Sequence, residues 1–410
     1  MMKTPKQVGL LHYAAPPIVG GVESVLGHQA RLMADAGHQV RILAGRGSQV
    51  DGRVPFVRMP LADSRHPEIL ALKPELSAGH IPDRFDLITE KLYRALLERT
   101  EGLDYLIAHN VCSLNKNMPL TAALRQLSGQ VGSPRLILWH HDLAWTTPRY
   151  RSELHEGYPW ILLREDWPGV IQVVVSEPRQ RELADLLQLP LERIRVIPNG
   201  LDSTGFLKLE DQTRTLIQKL DLLNGEPLLL LPVRITPRKN IELALRVLAG
   251  LLADYPAARL VVTGPLGPHN PANVEYFERL DSLRTELGVG KCAHFLAEMV
   301  DDYLPDAVIA DFYRLADALF MPSREEGFGI PLLEAGLSGL PVFCADIPPL
   351  RDLGGAWASY FSPEGDPGNI AALVKARLSQ DPTFHLRVRV RKKYTWGGIF
   401  HQHIAPLLDL

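Results

Sequence analysis

The fold is decided by the stretch QVGLLHYAAPPIVGGVESVLGHQARLMADAGHQVRILAG, which spans residues 7–45. It opens with a short apolar run, residues 7–14, and passes through a proline- and glycine-rich turn. The next segment, residues 22–37, has the apolar spacing of a helix and ends in glycine. A second apolar run, residues 38–45, follows directly. This order of strand, loop, helix and strand predicts a parallel sheet with helices on its faces.

The same unit begins again in the second half of the chain, at PLLLLPVR, residues 227–234. Its continuous apolar character is typical of a strand buried on both faces. A helical segment, NIELALRVLAGLLADYP, follows at residues 240–256. Further apolar runs extend the two predicted sheets at residues 104–110, 135–141, 171–176, 258–264, 293–299, 316–323 and 340–346.

The predicted fold class is therefore α/β, with two doubly wound, Rossmann-like domains. Pro198, Asn199 and Gly200 break the pattern between the halves. We expect an N-terminal domain over residues 1–205 and a C-terminal domain over residues 206–393. We expect the terminal helix, at 394–410, to pack back on the N-terminal domain.

The composition is that of a soluble globular protein, with 46% hydrophobic and 22% charged residues in a chain of 410. The formal net charge of −3 does not indicate a nucleic-acid binder. The three cysteines form no CxxC pair. Their spacing argues against a disulfide framework or a zinc site and suits a reducing cytoplasm.

The sequence contains no run of 18 apolar residues, and its N-terminus lacks the apolar core of a signal peptide. We therefore expect a cytoplasmic protein with no transmembrane segment. The basic run RVRVRKK, residues 387–393, has two interpretations, a solvated face or a patch for acidic lipid. Peripheral membrane contact stays open.

A glycine-rich loop follows a predicted strand in the stretch MPSREEGFGIPLLEAGLSGLPV. Gly327 and Gly329 predict a sharp turn that a ligand can approach closely, and Pro331 suits the first position of a helix. The free N–H groups of that helix can hold an anion. Glu326 and Glu334 would repel a phosphate, but each can accept two hydrogen bonds from sugar hydroxyls. The alternative is a plain strand–loop–helix joint with surface glutamates.

Two cations follow another predicted strand end, in PVRITPRKN. Arg234 and Lys239 lie five residues apart across a proline turn. Loops at the carboxyl ends of parallel strands carry ligand chemistry in this architecture. A diphosphate suits such a pair, since arginine can grip it with two hydrogen bonds. Solvated loop charges are the alternative.

These motifs, in this order, resemble the large family 4 of retaining glycosyltransferases. The resemblance covers nearly the whole chain and is carried by GGVE, SEPRQREL, VIPNGLD, RITPRK, EGFGIPLLE, DIPPLRDLGG and YTWGGIF. It implies the GT-B fold, in which two Rossmann-like domains face a central cleft. It also implies an acceptor side on the N-terminal domain and a nucleotide-sugar donor side on the C-terminal domain.

The resemblance also implies a role for each motif residue. Glu334 would bind the nucleotide ribose, Glu326 the hydroxyls of the donor sugar, and Arg234 and Lys239 the diphosphate. Backbone N–H groups from Phe328 through Gly329 to Ile330, beside Gly327, would complete the donor pocket. Gly20 and Gly21 would let the loop after the first strand close over the donor.

The chain departs from the family pattern at two points. Glu325 adds a second acid before the loop, so Glu326 is assigned by spacing. Gly336 and Leu337 replace the commoner Met-Ala in the helix and affect no proposed role.

Histidines end two strands of the N-terminal half. His140 or His141 in LILWHHDLAW resembles the family position that contacts the donor sugar, and His141, before Asp142, is preferred. A strand-end packing or capping role is the alternative. His109 and Asn110 end the neighbouring strand, where they either line the acceptor cleft or serve the strand end.

We expect no metal site and no required cofactor. Asp301 and Asp302 are adjacent but lack the Asp-x-Asp setting of metal-dependent transferases. The resemblance implies that Arg234, Lys239 and the helix N-terminus stabilise the leaving diphosphate without a cation.

The predicted function is transfer of a sugar, with retention, from a nucleotide-diphosphate sugar of the GDP-mannose or UDP-glucose type. The acceptor is a hydroxyl on a sugar, glycolipid or small molecule. Alternatives are a GT-B epimerase or phosphorylase and a catalytically inactive nucleotide-sugar-binding module. A dinucleotide oxidoreductase fits poorly, since no G-x-G-x-x-G follows the first strand.

Overall fold

The computed structural model describes residues 4–266, 271–300 and 303–409. The chain divides into two compact units. The first comprises Met1–Gly200 and Trp396–Leu410, and the second comprises Leu201–Thr395.

The first unit contains a seven-stranded sheet in the order β3-β2-β1-β4-β5-β6-β7. Every neighbouring pair is parallel. The strands are β1 Gln7–Ala14, β2 Gln39–Arg46, β3 Phe56–Arg58, β4 Tyr105–His109, β5 Arg135–His140, β6 Ile171–Val174 and β7 Ile194–Val196. The order reverses between β1 and β4, which is the switch point of a doubly wound sheet.

The second unit contains a six-stranded parallel sheet in the order β10-β9-β8-β11-β12-β13. Its strands are β8 Leu228–Leu231, β9 Arg259–Val262, β10 Ala293–Phe295, β11 Ala318–Met321, β12 Val342–Ala345 and β13 Ser359–Phe361. The order reverses between β8 and β11. The predicted α/β class with two doubly wound sheets is confirmed.

Helices connect the strands in both units. The first unit carries α1 Gly21–Asp35, α2 Pro67–Ser77, α3 Phe85–Thr100, α4 Met118–Ser128, α5 Pro148–Arg151 and α6 Glu177–Leu187. The second carries α7 Ser203–Phe206, α8 Asp211–Leu220, α9 Ile241–Leu251, α10 Pro271–Glu286, α11 Asp306–Leu315, α12 Ile330–Leu337, α13 Pro348–Gly354, α14 Pro367–Ser379 and α15 Pro382–Lys393. The chain then returns to the first unit with α16 Trp396–Ile399, a π-helical turn Phe400–Ile404 and α17 Ala405–Leu407.

Each sheet has a hydrophobic core on both faces, as buried parallel strands require. The returning segment belongs to the core of the first unit, where Ile399, Phe400 and Ile404 pack with Val8 and Leu10 of β1. The chain leaves and re-enters this unit at one place. A Cβ added to Gly200 would lie 2.5 Å from Cδ2 of Trp396.

The basic run at residues 387–393 lies within α15, and its interpretation as a solvated face is wrong for Arg391. That side chain is 8% exposed. It donates to both oxygens of Asp317, at 2.8 and 2.6 Å, and to the carbonyl of Gly225 at 3.0 Å. Of the helices that the structure describes, none is both long and apolar enough to cross a membrane.

Candidate active site

The glycine-rich loop of the second unit joins the end of β11 to α12. Gly329 precedes α12 with φ +110°, and a Cβ there would lie 2.6 Å from Cδ2 of Leu350. Only glycine fits that backbone without strain. Gly327 has no left-handed φ, and an added Cβ would meet no atom within 4 Å. The backbone of Gly327 therefore does not require glycine, but the open space beside it lets a ligand approach closely.

The helix α12 begins at this loop and has an open amino end. Ile330 is its first residue, so Pro331 takes the second position and not the predicted first. No side chain caps the helix, and Phe328 and Ile330 are 55% and 59% exposed. The uncapped N–H groups and the positive end of the helix dipole can receive an anion.

Lys239 and Glu326 form a buried ion pair. Lys239 ends a 3-10 turn after β8, Pro237–Lys239, and its Nζ lies 2.5 Å from Oε1 of Glu326. The side chains are 9% and 8% exposed. Ser323 donates its hydroxyl to the same Oε1 at 2.7 Å. The structure thus brings together a cation predicted for the diphosphate and a carboxylate predicted for the sugar.

Two residues that the sequence did not single out fasten the loops after β8 and β11 to each other. Asn240 is fully buried with φ +55°, and its Nδ2 donates to the carbonyls of Pro322 and Pro363 at 3.0 and 2.9 Å. Arg324 binds Glu242 and Glu364, each at 2.9 Å. Asparagine tolerates the left-handed conformation better than most residues. An asparagine directly after Lys239 in the sequence was therefore a possible indication of this turn.

Arg234 is exposed, and it forms no ion pair or hydrogen bond with any residue that the structure describes. Its backbone is held from the end of β9. A Cβ added to Gly264 would lie 2.0 Å from the carbonyl oxygen of Val233 and 2.6 Å from the nitrogen of Arg234. Gly264 therefore permits the close approach that positions Arg234. In the sequence, this role was indicated only by the position of Gly264 just beyond the end of a predicted strand.

Glu334 lies in α12 with one carboxylate oxygen already held. The hydroxyl of Tyr313, in α11, donates to Oε2 of Glu334 at 2.5 Å. Tyr313 is 3% exposed, and burial together with this hydrogen bond raises its pKa well above the ordinary value. Glu334 itself is exposed, so its other oxygen can accept from a ligand.

In the first unit, Gly20 and Gly21 lie at the start of α1. Gly20 has φ −177°, an extended backbone that any residue adopts. A Cβ at Gly21 would meet nothing within 4 Å, and one at Gly20 would meet only the flexible side chain of Glu23. Gly20 lines an open pocket of about 690 Å³ with Ser24 and Arg31. The absence of side chains here leaves room for a ligand and is not required by the turn.

The two candidate histidines at the end of β5 face different surroundings. His140 is 4% exposed, and its Nε2 lies 2.8 Å from Oε1 of Gln172. His141 is half-buried, and its backbone N–H donates to Oδ1 of Asn110 at 2.7 Å. Burial lowers the pKa of each imidazole to about 4. Both rings are therefore neutral near pH 7.

His109 and Asn110 are both buried, which favours the strand-end role over contact with an acceptor. Asn110 has φ +57° and accepts from the backbone N–H groups of His141 and Asp142. Nδ1 of His109 lies 3.3 Å from Nε2 of His141. These two residues support the segment that carries His141.

Two family models match the chain on either side of the unit boundary. The model described as "Glycosyltransferase Family 4" matches residues 19–204, and the one described as "Glycosyl transferases group 1" matches residues 212–394. The chain belongs to glycosyltransferase family 4.

Two relatives are similar to this chain over part of its length. The D-inositol 3-phosphate glycosyltransferase of Acidothermus cellulolyticus is 31% identical over 223 residues, 50% of this chain and 48% of that protein. The mannosylglucosylglycerate synthase of Petrotoga mobilis is 27% identical over 276 residues, 63% of each chain. The chain spans about half the length of the first of these relatives.

Among solved structures, the match to the sucrose-phosphate synthase of Thermosynechococcus elongatus covers 98% of this chain and 98% of that one. Its sequence identity is 17% and its TM-score 0.38, which add nothing to the assignment.

In the described part of this family 4 chain, no group of three or more histidine, cysteine, aspartate or glutamate residues could hold a metal ion. Asp301 and Asp302 lie outside the described residues.

Proposed function

We propose that the protein transfers a sugar from a nucleotide-diphosphate sugar to a hydroxyl acceptor, with retention of anomeric configuration and without a metal ion. The donor is of the GDP-mannose or UDP-glucose type. The acceptor is a sugar, a glycolipid or a small hydroxylated molecule. The relative named for D-inositol 3-phosphate supports the small-molecule form.

The observation that carries the proposal is the group of side chains around the loop after β11. Lys239 and Glu326 are paired beside the open amino end of α12, and Glu334 lies one turn into that helix. This order of cation, helix end and carboxylates matches the parts of a nucleotide-diphosphate sugar. Glu326 binds sugar hydroxyls, α12 and the cations bind the diphosphate, and Glu334 binds the ribose.

The pairing of Lys239 with Glu326 is compatible with both roles. An ammonium group has three N–H donors, so Nζ can hold the carboxylate and a phosphate oxygen together. Glu326 keeps its second oxygen, Oε2, for a sugar hydroxyl. Its nearest other cation is Arg238, 4.0 Å away.

The leaving diphosphate gains negative charge as the glycosidic bond breaks. Arg234, Lys239 and the N–H groups of α12 are proposed to bind that charge, and electrostatic stabilisation of this kind is usually the largest single contribution to catalysis. Arg234 has no described partner to give up before it binds. We therefore propose that no divalent cation is needed, and activity should survive excess EDTA.

Retention requires the acceptor to attack from the face that the diphosphate leaves. Inversion would need a general base on the opposite face. Glu326 and Glu334 are proposed to hold hydroxyls, and His141 to contact the sugar. The departing diphosphate then accepts the proton of the acceptor hydroxyl, through a short-lived oxocarbenium-like state.

The test is a thermal-shift series with UDP, GDP, ADP and their sugar derivatives. A ligand that binds the folded state raises the melting temperature by mass action. One nucleotide diphosphate should raise it, and its sugar derivative should then be turned over with an acceptor panel. Binding without turnover would support an inactive binding module, and no shift with any nucleotide would reject the proposal.

A further inference from the structure

His109 is a buried histidine with no place in the chemistry above, yet its ring touches the ring of His141. It is 0% exposed and lies over Trp139, with ring centroids 5.3 Å apart. Nδ1 of His109 lies 3.3 Å from Nε2 of His141. The carbonyl of His109 accepts from Nδ1 of His12 at 2.7 Å. Both the ring and the backbone of His109 are therefore fixed.

A hydrogen bond between two neutral imidazoles contains one proton, and either ring can supply it. If His141 supplied it, the single N–H of His141 would be on Nε2. Neutral His109 would then carry its own proton on Nε2. That atom is buried and has no partner among the described residues.

The opposite arrangement leaves no buried N–H of His109 without a partner. If His109 donates from Nδ1, its buried Nε2 is a bare acceptor. Among backbone groups, buried N–H donors without a partner are rarer than under-satisfied carbonyl acceptors, and we apply the same order to the imidazole nitrogens. The neutral His141 must then carry its proton on Nδ1, for which the described residues offer no partner.

We propose that His109 is a positioning residue that fixes His141 as the Nδ1–H tautomer, so that His141 donates a hydrogen bond to an oxygen of the donor sugar. This inference rests on the proposed function. Asn110 holds the backbone of His141 through Oδ1, at 2.7 Å, and His109 holds its ring.

The tautomer has a consequence for the reaction. Nε2 of His141 accepts the proton of His109, and Nδ1 already carries a proton. Neither nitrogen has a free lone pair, so His141 cannot remove a proton from an acceptor hydroxyl. The ring is a hydrogen-bond donor to the sugar and not a general base.

The tautomer can be measured directly on the whole protein labelled with ¹⁵N-histidine. Two-bond ¹H–¹⁵N correlation spectra distinguish protonated from bare ring nitrogens, and the signals of His141 are those missing in His141→Asn. We expect a protonated Nδ1 and a bare Nε2 in the wild type. In His109→Leu, we expect both nitrogens to shift toward intermediate values as the two tautomers exchange. A protonated Nε2 on His141 in the wild type overturns the proposal.

The second test measures kcat in two variants of His109, with Leu and Asn as substitutions of similar size. His109→Leu should lower kcat about tenfold, the loss of one hydrogen bond. His109→Asn, whose amide N–H can replace Nδ1–H, should stay within about threefold of the wild type. Equal losses in both variants would overturn the positioning role.

The affinity for the free nucleotide diphosphate is the control, because His141 is proposed to contact only the sugar. It should be unchanged in both His109 variants, whereas a general folding defect would reduce it. If the wild-type protein shows the Nδ1–H tautomer but turns over no sugar nucleotide, the proposed function is contradicted. The relationship between His109 and His141 is not.

Discussion

Nζ of Lys239 lies 2.5 Å from Oε1 of Glu326, and both side chains are less than one-tenth exposed. Two opposite charges in such a place depend on each other, because either one alone would be a buried charge without a partner. Arg234, the other cation proposed for the diphosphate, is exposed and has no described partner. The two cations should therefore respond differently to substitution.

Lys239→Ala should lower turnover about 100- to 1000-fold and also lower the free energy of unfolding by about 3 kcal/mol. Arg234→Ala should lower turnover to a similar extent and leave the stability unchanged. Arg238→Ala, at an exposed site 4.0 Å from Glu326, is the control and should affect both little. Denaturant unfolding and steady-state kinetics measure the two effects. Equal stability of the Lys239 and Arg234 variants would contradict the buried pair.

Glu326→Gln should affect the sugar and the nucleotide diphosphate of the donor differently. The substitution removes the negative charge and replaces one of the two acceptor oxygens by an NH2 donor, and it frees the charge of Lys239 for the phosphates. We expect slower turnover of the sugar nucleotide and equal or tighter binding of the nucleotide diphosphate. Calorimetry with both ligands checks this, and weaker binding of the free diphosphate would argue that Glu326 does not contact the sugar.

Tyr313→Phe should weaken nucleotide binding through Glu334. Without the hydroxyl at 2.5 Å, the carboxylate is no longer held in the position proposed to bind the ribose. We expect a loss of about three- to tenfold, typical of one hydrogen bond, and a larger loss in Glu334→Ala. A 2′,3′-dideoxy nucleotide lacks the ribose hydroxyls and is the control. If Tyr313→Phe weakened its binding equally, the ribose assignment would be wrong.

The neutral histidines of the first unit predict a stability that depends on pH. His12, His140 and His141 have their pKa values lowered to about 4, with burial as the main cause. In the unfolded chain the ordinary value is about 6.5, so the unfolded state binds more protons between these values. The free energy of unfolding should therefore fall as the pH falls from about 7 to about 5, by on the order of 2 kcal/mol for each histidine.

Denaturant unfolding at pH 7, 6 and 5 measures this slope, over a range in which ordinary carboxylates stay ionised. His140→Gln should reduce the slope, because it removes one titrating group and can still bond Gln172. A slope unchanged in this variant would mean that His140 does not contribute.

The product should keep the anomeric configuration of the donor. Proton NMR of the fresh product reads the anomeric coupling directly. His141→Ala should slow the reaction and leave the stereochemistry unchanged, because the ring is proposed to donate to the sugar and to take no proton. An inverted product would remove the proposed mechanism.

The two parallel sheets could be predicted from the sequence because buried strands and amphipathic helices leave local patterns, as in residues 7–45. The loop after β11 was equally visible, since Gly329 and Pro331 have backbone requirements that act within a few residues.

The roles of the residues that support the site could not be predicted from the sequence, because they depend on contacts between distant parts of the chain. Tyr313 reaches Glu334 across 21 residues, and Gly264 matters only because the backbone of Val233 approaches it. His109 ends a strand, where a contact with the acceptor was one alternative, and its complete burial favours a supporting role. Arg391 looked solvated within a basic run until its partner Asp317, 74 residues away, was in place.

The return of the chain to the first unit has a consequence for the order of folding during synthesis. Ile399, Phe400 and Ile404 fill the same core as Val8 and Leu10, so this core lacks part of its packing until residues 396–409 have left the ribosome. All residues of the second unit are made before that point. The unit whose synthesis starts first is therefore the one that completes its core last, and shortening the chain at residue 395 should destabilise the first unit while sparing the second.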